Sequence, residues 1–397
     1  MRKILLPVLA ILYSCSQSNT QNQSIDDPLN EVKERFAKME ADALSEPYNG
    51  IFTDAGRSDG LFSISATGVS TAPIVNSAND FLKSLTSEQL DRTTFEIDDE
   101  EWRKWCNVDK GIYDRQGISL REMTDAQKQA AFHLMQTSLS AKGLQLSRDI
   151  MKTDQTLKEL NDGSPIYDEE LYFFTVMGIP STTEPWGWQI DGHHLVINYF
   201  VLGDQVVMSP VFMGAEPVIT TSGKYEGNSL FQDEQNLGLA LMRSLGQDLQ
   251  SKAIIEYEKT HDNNVAAANK DNLTLNYEGV CVLEFDEQQR QDLLDLAAEY
   301  INNLREGHQQ IKMEEIIKHL DETWFAWVGK TDEDAVFYYR IHSPVVLIEF
   351  DHQIPVGVPG ANMEAPTRNH IHTMVRTPNG NDYGKDLLRQ HLETHHH

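Results

Sequence analysis

The chain has 397 residues, of which 24% are charged and 40% hydrophobic, and it carries a formal net charge of −28 at pH 7. So acidic a protein repels phosphate backbones and anionic lipid headgroups, which argues against nucleic-acid binding and against electrostatic docking to membranes. The length allows one large domain or two ordinary ones. Because no proline-rich or glycine/serine-rich linker and no internal repeat follows the N-terminal region, we predict a single domain over residues 29–397.

The N-terminal region is typical of an exported protein. Met1-Arg2-Lys3 is positively charged, and the apolar run from Ile4 to Tyr13 is too short to span a bilayer. The run ends at Leu12-Tyr13-Ser14-Cys15, which looks like the bacterial lipoprotein box, although Tyr13 fits it poorly and ordinary cleavage nearby is the alternative. We therefore predict a lipoprotein-type signal peptide at residues 1–15 and a polar tether at residues 16–28. Export to the periplasm or cell envelope, with a lipid anchor on Cys15, follows from this prediction.

The apolar residues between positions 29 and 160 recur at helical spacing. Thr86 and Thr124, each followed three residues later by a glutamine, are predicted helix N-caps. Gly143 is predicted to end the helix that starts after Thr124. The predicted helices cover residues 29–44, 124–140 and 144–160, with two short turns in residues 76–90.

Four runs rich in β-branched and aromatic residues follow the helices, and each is short enough to be a strand. Asp191-Gly192 and Gly203-Asp204 are two-residue hairpin signatures, so we predict that these runs pair as an antiparallel meander. The predicted strands cover residues 171–178, 186–190, 193–202 and 206–212.

Helical spacing then returns before a second block of strands. The predicted helices cover residues 230–252, 287–304 and 313–320, the strands cover residues 323–328, 335–340, 345–350 and 370–376, and a final helix follows Asp382. Helices and strands thus come in separate runs and do not alternate. This order favours an α+β fold, with an antiparallel sheet packed against several helices, over a doubly wound fold.

The last third of the chain holds a candidate metal site. Successive strand residues point to opposite faces of a sheet, so His370 and His372 share one face with Ile371 behind them, and Glu349 lies on a nearby strand. Two imidazoles and a carboxylate can bind zinc, copper or iron and leave an open position for water. In such a site Glu349 is a ligand or a general base, and Arg376, at even spacing from His372, stabilises developing negative charge.

The same residues also fit a buried polar network that contains no metal. In that arrangement Glu349 pairs with Arg376 or Arg340, and the imidazoles bridge the charged groups. The sequence leaves both interpretations open.

Three further histidines are candidates for the site. His193 and His194 follow the predicted turn at the start of a strand, so they face opposite sides and only one of them can join a given site. Alternation predicts that His193 faces the core and that His194 faces the polar side. For His193, the alternative to metal binding is a core side chain that hydrogen-bonds to the backbone. His342 precedes the strand that carries Glu349 and is the third candidate.

Several motifs in one order give the chain a resemblance to a known family. They are Trp186-Gly187-Trp188, Gly192-His193-His194, Pro210-Val211-Phe212-Met213-Gly214-Ala215, the run from Tyr338 to Pro344, Glu349-Phe350-Asp351, His370-Ile371-His372 through Arg376, Asp382-Tyr383-Gly384 and His391. With them the chain resembles domain-of-unknown-function family 3500 (DUF3500) from about Asp27 onward. The family is uncharacterised, so the resemblance implies a fold group and an exported bacterial context but no established reaction.

From these residues we predict a metal-dependent hydrolase that acts on a small or polymeric substrate outside the cytoplasm. Zinc is favoured over copper or iron as its cofactor. The predicted metal ligands are His370, His372, His194, His193 and His342, and the predicted catalytic residues are Glu349 and Arg376.

Two alternatives belong to other classes of protein. The first is a non-catalytic lipoprotein that binds carbohydrate by stacking it on Trp186, Trp188, Trp324 and Trp327. The second is a copper- or iron-dependent oxidoreductase that uses the same histidines.

Overall fold

The structure is a computed structural model that describes residues 28–394. The predicted signal peptide, its Cys15 and nearly all of the predicted tether lie outside the described residues. Within residues 28–394, no helix combines the length and the apolar character needed to cross a membrane.

Helices and strands come in separate runs, and helix accounts for 39% and strand for 20% of the structure. The α-helices of residues 28–394 are α1 (Pro28–Leu44), α2 (Ala72–Ser84), α3 (Ser87–Thr93), α4 (Asp125–Ser138), α5 (Ala141–Leu160), α6 (Gln232–Ser244), α7 (Gln247–Ala253), α8 (Glu287–Ile301), α9 (His308–Lys318) and α10 (Lys385–Thr394). The strands are β1 (Ile51–Phe52), β2 (Thr94–Phe95), β3 (Ile118–Ser119), β4 (Phe173–Met177), β5 (Trp186–Gly192), β6 (Leu195–Leu202), β7 (Gln205–Ala215), β8 (Ile254–Glu256), β9 (Leu273–Thr274), β10 (Val280–Cys281), β11 (Trp324–Gly329), β12 (Phe337–His342), β13 (Leu347–His352) and β14 (Ile371–Arg376).

Two antiparallel meanders make up most of a twelve-stranded sheet. Strands β4 to β7 are neighbours in the sheet in the order of the chain, and so are β11 to β14. The meanders are joined where β14 pairs antiparallel with β7, which sets His372 opposite Gly214. Two short strands add parallel pairs, β2 to β4 and β8 to β11. The sheet is therefore mixed, and the predicted α+β class is confirmed.

Different parts of the chain bury the two faces of the sheet. Met213 and Ile371 point to one face, where they pack in a hydrophobic cluster with residues of α2, α4, α5, α6 and α8. Phe212 and Met374 point to the other face, where they pack with Trp105 and the apolar residues of α10. Each large apolar side chain buried in this way contributes about 1.5–3 kcal/mol. Because the second face is also covered, every polar side chain on it needs a partner inside the protein.

The turn between β5 and β6 lies two residues later than predicted. Asp191 and Gly192 pair within the ladder as the end of β5, and the turn consists of His193 and His194. A Cβ atom at position 192 would lie 2.2 Å from Cδ1 of Tyr172. The glycine is therefore needed to make room for this ring, and the prediction that it forms the turn is wrong.

Gly143 has a packing role as well. It does not end a helix but lies inside α5, which begins after the N-cap Ser140. A Cβ atom at this position would lie 2.4 Å from the backbone oxygen of Asn303, so the glycine allows close approach of that segment. The capping boxes of Thr86 and Thr124 are confirmed.

Candidate metal centre

Three histidines converge beside the pair of strands that joins the two meanders. His194 is the second residue of the β5–β6 turn and has a left-handed backbone with φ of +59°, which is strained for a residue with a side chain. Its carbonyl accepts a hydrogen bond from the N–H of Gly214 at 2.8 Å, which ties the turn to β7. His372 lies in β14 opposite Gly214, and His370 immediately precedes that strand.

The imidazoles point their Nε2 atoms at one another. The Nε2–Nε2 distances are 3.0 Å between His370 and His372, 3.1 Å between His194 and His372, and 3.3 Å between His194 and His370. Among residues 28–394, this is the one group of three or more His, Cys, Asp or Glu side chains whose ligand atoms all lie within 4.8 Å of each other. We call it the three-histidine cluster.

All three imidazoles are held in the neutral form that binds metals. Burial lowers the pKa of His194 and His372 well below the usual value. Burial also lowers the pKa of His370, although the nearby Glu216 carboxylate opposes this shift. Nδ1 of His370 lies 2.8 Å from the carbonyl oxygen of Ile354, so it donates its proton there, and Nε2 keeps a free lone pair.

Hydrogen bonds alone cannot satisfy this triangle of nitrogens. Each neutral imidazole carries one proton, and the proton of His370 is committed on the opposite nitrogen, so at least one contact in the triangle lacks a well-directed hydrogen bond. Nδ1 of His194 is also buried without a hydrogen-bond partner. Nitrogens about 2.0–2.1 Å from a tetrahedral zinc ion stand roughly 3.3 Å apart, which is close to the observed spacing. The three side chains therefore fit a metal ion.

Gly214 provides the surface against which two of these rings lie. A Cβ atom at this position would lie 3.0 Å from Cδ2 of His372, 3.1 Å from Cδ2 of His194 and 2.8 Å from the backbone oxygen of Ile371. Any side chain on this residue would press on both imidazoles at once. The glycine of the Met213-Gly214-Ala215 motif is thus required by the cluster itself.

His193 lies outside the cluster but stacks on it. Its ring centre is 3.9 Å from that of His194, with 24° between the planes. Nδ1 of His193 lies 2.5 Å from Oδ1 of Asp154, a buried residue of α5, whose other oxygen accepts a hydrogen bond from the Tyr172 hydroxyl at 2.7 Å. Burial acts to lower the pKa of His193, but the Asp154 carboxylate outweighs it and the pKa is raised. Only one histidine of the turn joins the cluster, and the other is held by a carboxylate.

Glu349 lies on the predicted face but is committed to another segment. Its carboxylate accepts hydrogen bonds from the backbone N–H groups of Val265 and Ala266, at 2.8 and 2.9 Å, and from the Tyr338 hydroxyl at 2.6 Å. It is fully buried and is not a member of the three-histidine cluster. Its observed contacts tie the chain near residue 265 to β13.

Arg376 is likewise buried in contacts of its own. Nη1 lies 2.9 Å from Oδ1 of Asp271 and 3.1 Å from Oδ2 of Asp382, and Nε donates to the carbonyl of Ala266 at 3.0 Å. Two carboxylates and a carbonyl thus occupy the guanidinium. Within residues 28–394, no salt bridge joins Glu349 to Arg376 or to Arg340.

His342 lies on β12, away from the cluster. It is buried, its ring centre is 4.6 Å from that of Tyr277, and its Nδ1 has no hydrogen-bond partner. Burial, assisted by the charge of Arg340, lowers the pKa of His342 to about 3. Its environment is that of a neutral side chain packed against an aromatic ring.

Two residues near the cluster were missed by the sequence reasoning. Asp154 falls at helical spacing with Ile150 and Leu157 on the buried side of α5, and a charge among apolar positions could have identified it. Glu216 directly follows the Gly214-Ala215 motif and approaches His370, but no pattern in the sequence distinguishes it from a surface glutamate.

An α+β fold with three buried histidines aimed at one point defines a candidate metalloprotein. The chain belongs to the family described as "Protein of unknown function (DUF3500)", whose model matches residues 67–385, and the predicted resemblance is confirmed. The matched region contains the three-histidine cluster together with His193 and Asp154. No curated protein and no solved structure matches the chain.

Replacing Arg376 should destabilise the fold. Arg376→Met leaves Asp382 without its buried cation and leaves Asp271 with Arg103 alone, which should lower the free energy of unfolding by about 3–5 kcal/mol, measured by urea denaturation. Arg340→Met is the matched control, because the Glu278 partner of Arg340 keeps half of its side chain exposed and can be solvated by water. Equal losses in the two variants would contradict a special role for the Arg376 network.

His342 should make stability fall in acid. Its pKa is lower in the folded than in the unfolded protein, so its contribution is fully present above pH 6.5 and is lost as the pH falls toward 3. Between pH 6 and 4, the free energy of unfolding of His342→Phe should fall less steeply than that of the wild type, by up to about 1.4 kcal/mol per pH unit. Parallel curves from urea denaturation at several pH values would contradict this assignment.

Proposed function

We propose that this protein is a metal-dependent hydrolase in which His194, His370 and His372 hold the metal ion. The observation that carries the proposal is the triangle of Nε2 atoms, 3.0–3.3 Å apart. A zinc ion held by three imidazoles keeps an open position, where it lowers the pKa of bound water and polarises a substrate oxygen. Glu349, Arg376 and His342 have no part in this site as we now propose it.

The His193–Asp154 pair is the proton-handling group of the proposal. Asp154 receives the Nδ1 proton of His193, so the other ring nitrogen is the one available for exchange with a reacting molecule. The Tyr172 hydroxyl shares its one proton between Oδ2 of Asp154, at 2.7 Å, and the backbone carbonyl of His193, at 3.0 Å. The side chain of His193 is 15% exposed, so this ring is accessible where its carboxylate partner is not.

Carboxylates near the cluster favour an uncharged substrate. The ring of Tyr167 lies 5.8 Å from that of His193, and burial together with the charges of Asp109, Glu216 and Asp154 raises the pKa of Tyr167. Negative charge around this phenol, on an acidic protein, repels phosphate and carboxylate substrates. We therefore propose a neutral ester, amide or glycoside as the substrate, either small or part of a polymer.

The set of ligands favours zinc over iron. Non-haem iron oxygenases typically use two histidines and one carboxylate, whereas three histidines with one open position are a catalytic zinc arrangement. Copper also binds imidazole, so a copper-dependent oxidoreductase is the alternative that metal analysis must separate from a hydrolase.

Burial of the tryptophans weighs against a carbohydrate-binding lipoprotein. Trp186, Trp188 and Trp327 are fully buried, so they cannot stack on a sugar. Trp324 is partly exposed, but its ring already stacks on Tyr277 with 3° between the planes.

We also propose that the protein is exported and lipid-anchored. The support is the charged and apolar N-terminal sequence that ends at Leu12-Tyr13-Ser14-Cys15. A hydrolase in the periplasm or cell envelope meets uncharged polymers and small molecules without the need for uptake.

Purified protein should carry zinc through the cluster. Zinc at 100 times its Kd should raise the free energy of unfolding of the wild type by about 2.7 kcal/mol, seen as an increase in Tm. The triple variant His194→Ala/His370→Ala/His372→Ala should lose the zinc of the cluster and show no shift. Metal content is measured by elemental analysis, and Tm by calorimetry with and without zinc.

His193→Gln separates metal binding from chemistry in the same experiment. This variant should keep its zinc but hydrolyse a neutral ester such as p-nitrophenyl acetate about 10²–10⁴-fold more slowly. A wild type that holds no metal and shows no shift in Tm would overturn the proposal, and bound copper with redox activity would favour the oxidoreductase.

Cys15→Ser should release the protein from the membrane fraction. Lipid-chain burial is what would retain the wild type there, and serine cannot carry the thioether-linked lipid. Fractionation of cells followed by immunoblotting measures the change. Intact mass spectrometry that shows an unacylated N-terminus in the wild type would contradict the anchor.

A further inference from the structure

Glu216 is a buried carboxylate directly behind one member of the cluster. It is 2% exposed, and its Oε2 lies 3.6 Å from Nδ1 of His370, the ring nitrogen that points away from the other two histidines. It immediately follows β7, two residues after Gly214. Strand β7, whose Gly214 lies against two of the imidazoles, therefore also positions this carboxylate.

The oxygens of Glu216 organise one loop. The N–H of Val356 donates to both oxygens at 3.0 and 3.1 Å, the N–H of Gly357 to Oε2 at 2.8 Å, and the N–H of Val358 to Oε1 at 3.1 Å. Three successive backbone N–H groups around one carboxylate make a well-defined anion-binding turn. This part of the loop therefore depends on the charge and reach of Glu216.

The same loop supplies the hydrogen-bond acceptor of His370. The carbonyl of Ile354, two residues before Val356, accepts the Nδ1 proton at 2.8 Å. The N–H of Ile354 donates in turn to Oδ1 of Asp262 at 2.9 Å, so both backbone polar groups of this residue are held. The position of one carbonyl thus determines which nitrogen of His370 is protonated and how the ring is oriented.

We propose that Glu216 is a positioning residue of the metal centre. It fixes the Ile354 carbonyl through the loop, and its negative charge makes the His370 ring a more basic ligand. Outer carboxylates and carbonyls that bind the second nitrogen of a ligand histidine act in this way in metal sites generally, and their loss weakens metal affinity by about 10–100-fold. The inference rests on the proposed metal site and adds a residue that does not itself touch the ion.

Comparing Glu216→Gln with Glu349→Gln tests the role. Both glutamates are buried and bind two or more backbone N–H groups of a loop, but only Glu216 approaches a histidine of the cluster. Zinc affinity is measured by competition with a chromophoric chelator, and the visible spectrum is recorded with Co²⁺ in place of zinc. Glu216→Gln should weaken zinc binding by about 10–100-fold and shift the Co²⁺ bands, whereas Glu349→Gln should match the wild type in both readouts.

The possible results distinguish this inference from the proposed function. A wild type that binds neither Zn²⁺ nor Co²⁺ overturns both. If the wild type binds zinc and Glu216→Gln binds it equally well, only the role of Glu216 is overturned. The same holds if Glu216→Gln and Glu349→Gln are weakened equally. If Glu216→Gln does not fold, Glu216→Asp keeps the charge but shortens its reach, and it should show the same loss of affinity in smaller measure. An affinity and a Co²⁺ spectrum equal to those of the wild type would then overturn the role.

Discussion

The antiparallel pairing of β14 with β7 is the interaction on which the site depends. It joins two meanders that are far apart in the sequence, and it brings His370 and His372 from the second meander to the turn of the first. The same pairing places Gly214 under the rings of His194 and His372. Because many backbone hydrogen bonds and two buried hydrophobic faces hold this joint, the sheet sets the relative positions of the backbone segments that carry the three imidazoles.

Alternation along a strand predicts which face a side chain occupies, and it did so correctly for β13 and β14. It was wrong for His193 and His194, which lie in a turn where alternation does not apply, and His194 is the more buried of the two. His370 and His372 share a face, Ile371 packs on the opposite side, and Glu349 is on the same face as His372. Alternation gives no information about what lies above that face. The segment near residue 265 covers Glu349 and takes up its hydrogen bonds, and this segment has no periodic pattern that reveals its path. Capping boxes and element order were predictable because they depend on neighbours in the chain.

Some polar side chains on this face of the sheet stabilise the fold, and others form the candidate site. Arg376 is surrounded by Asp271 and Asp382, and Glu349 holds backbone N–H groups, so these charges are neutralised or hydrogen-bonded within the fold. The three histidines differ because burial keeps them neutral and their Nε2 atoms face one another. A neutral cluster whose ring nitrogens converge on one point is what distinguishes the candidate ligand set from the charged structural network in this protein.

The position of His194 within a two-residue turn restricts how the hairpin can vary. Hairpin turns at sheet ends normally tolerate changes of length, because they are exposed and few contacts depend on them. In this chain the turn is clamped to β7 through the Gly214 N–H, and its two residues supply one cluster imidazole and the ring stacked on it. One inserted residue would leave every strand pair intact yet carry the third nitrogen out of reach. The length of the β5–β6 turn must therefore stay constant if the three-histidine cluster is to form.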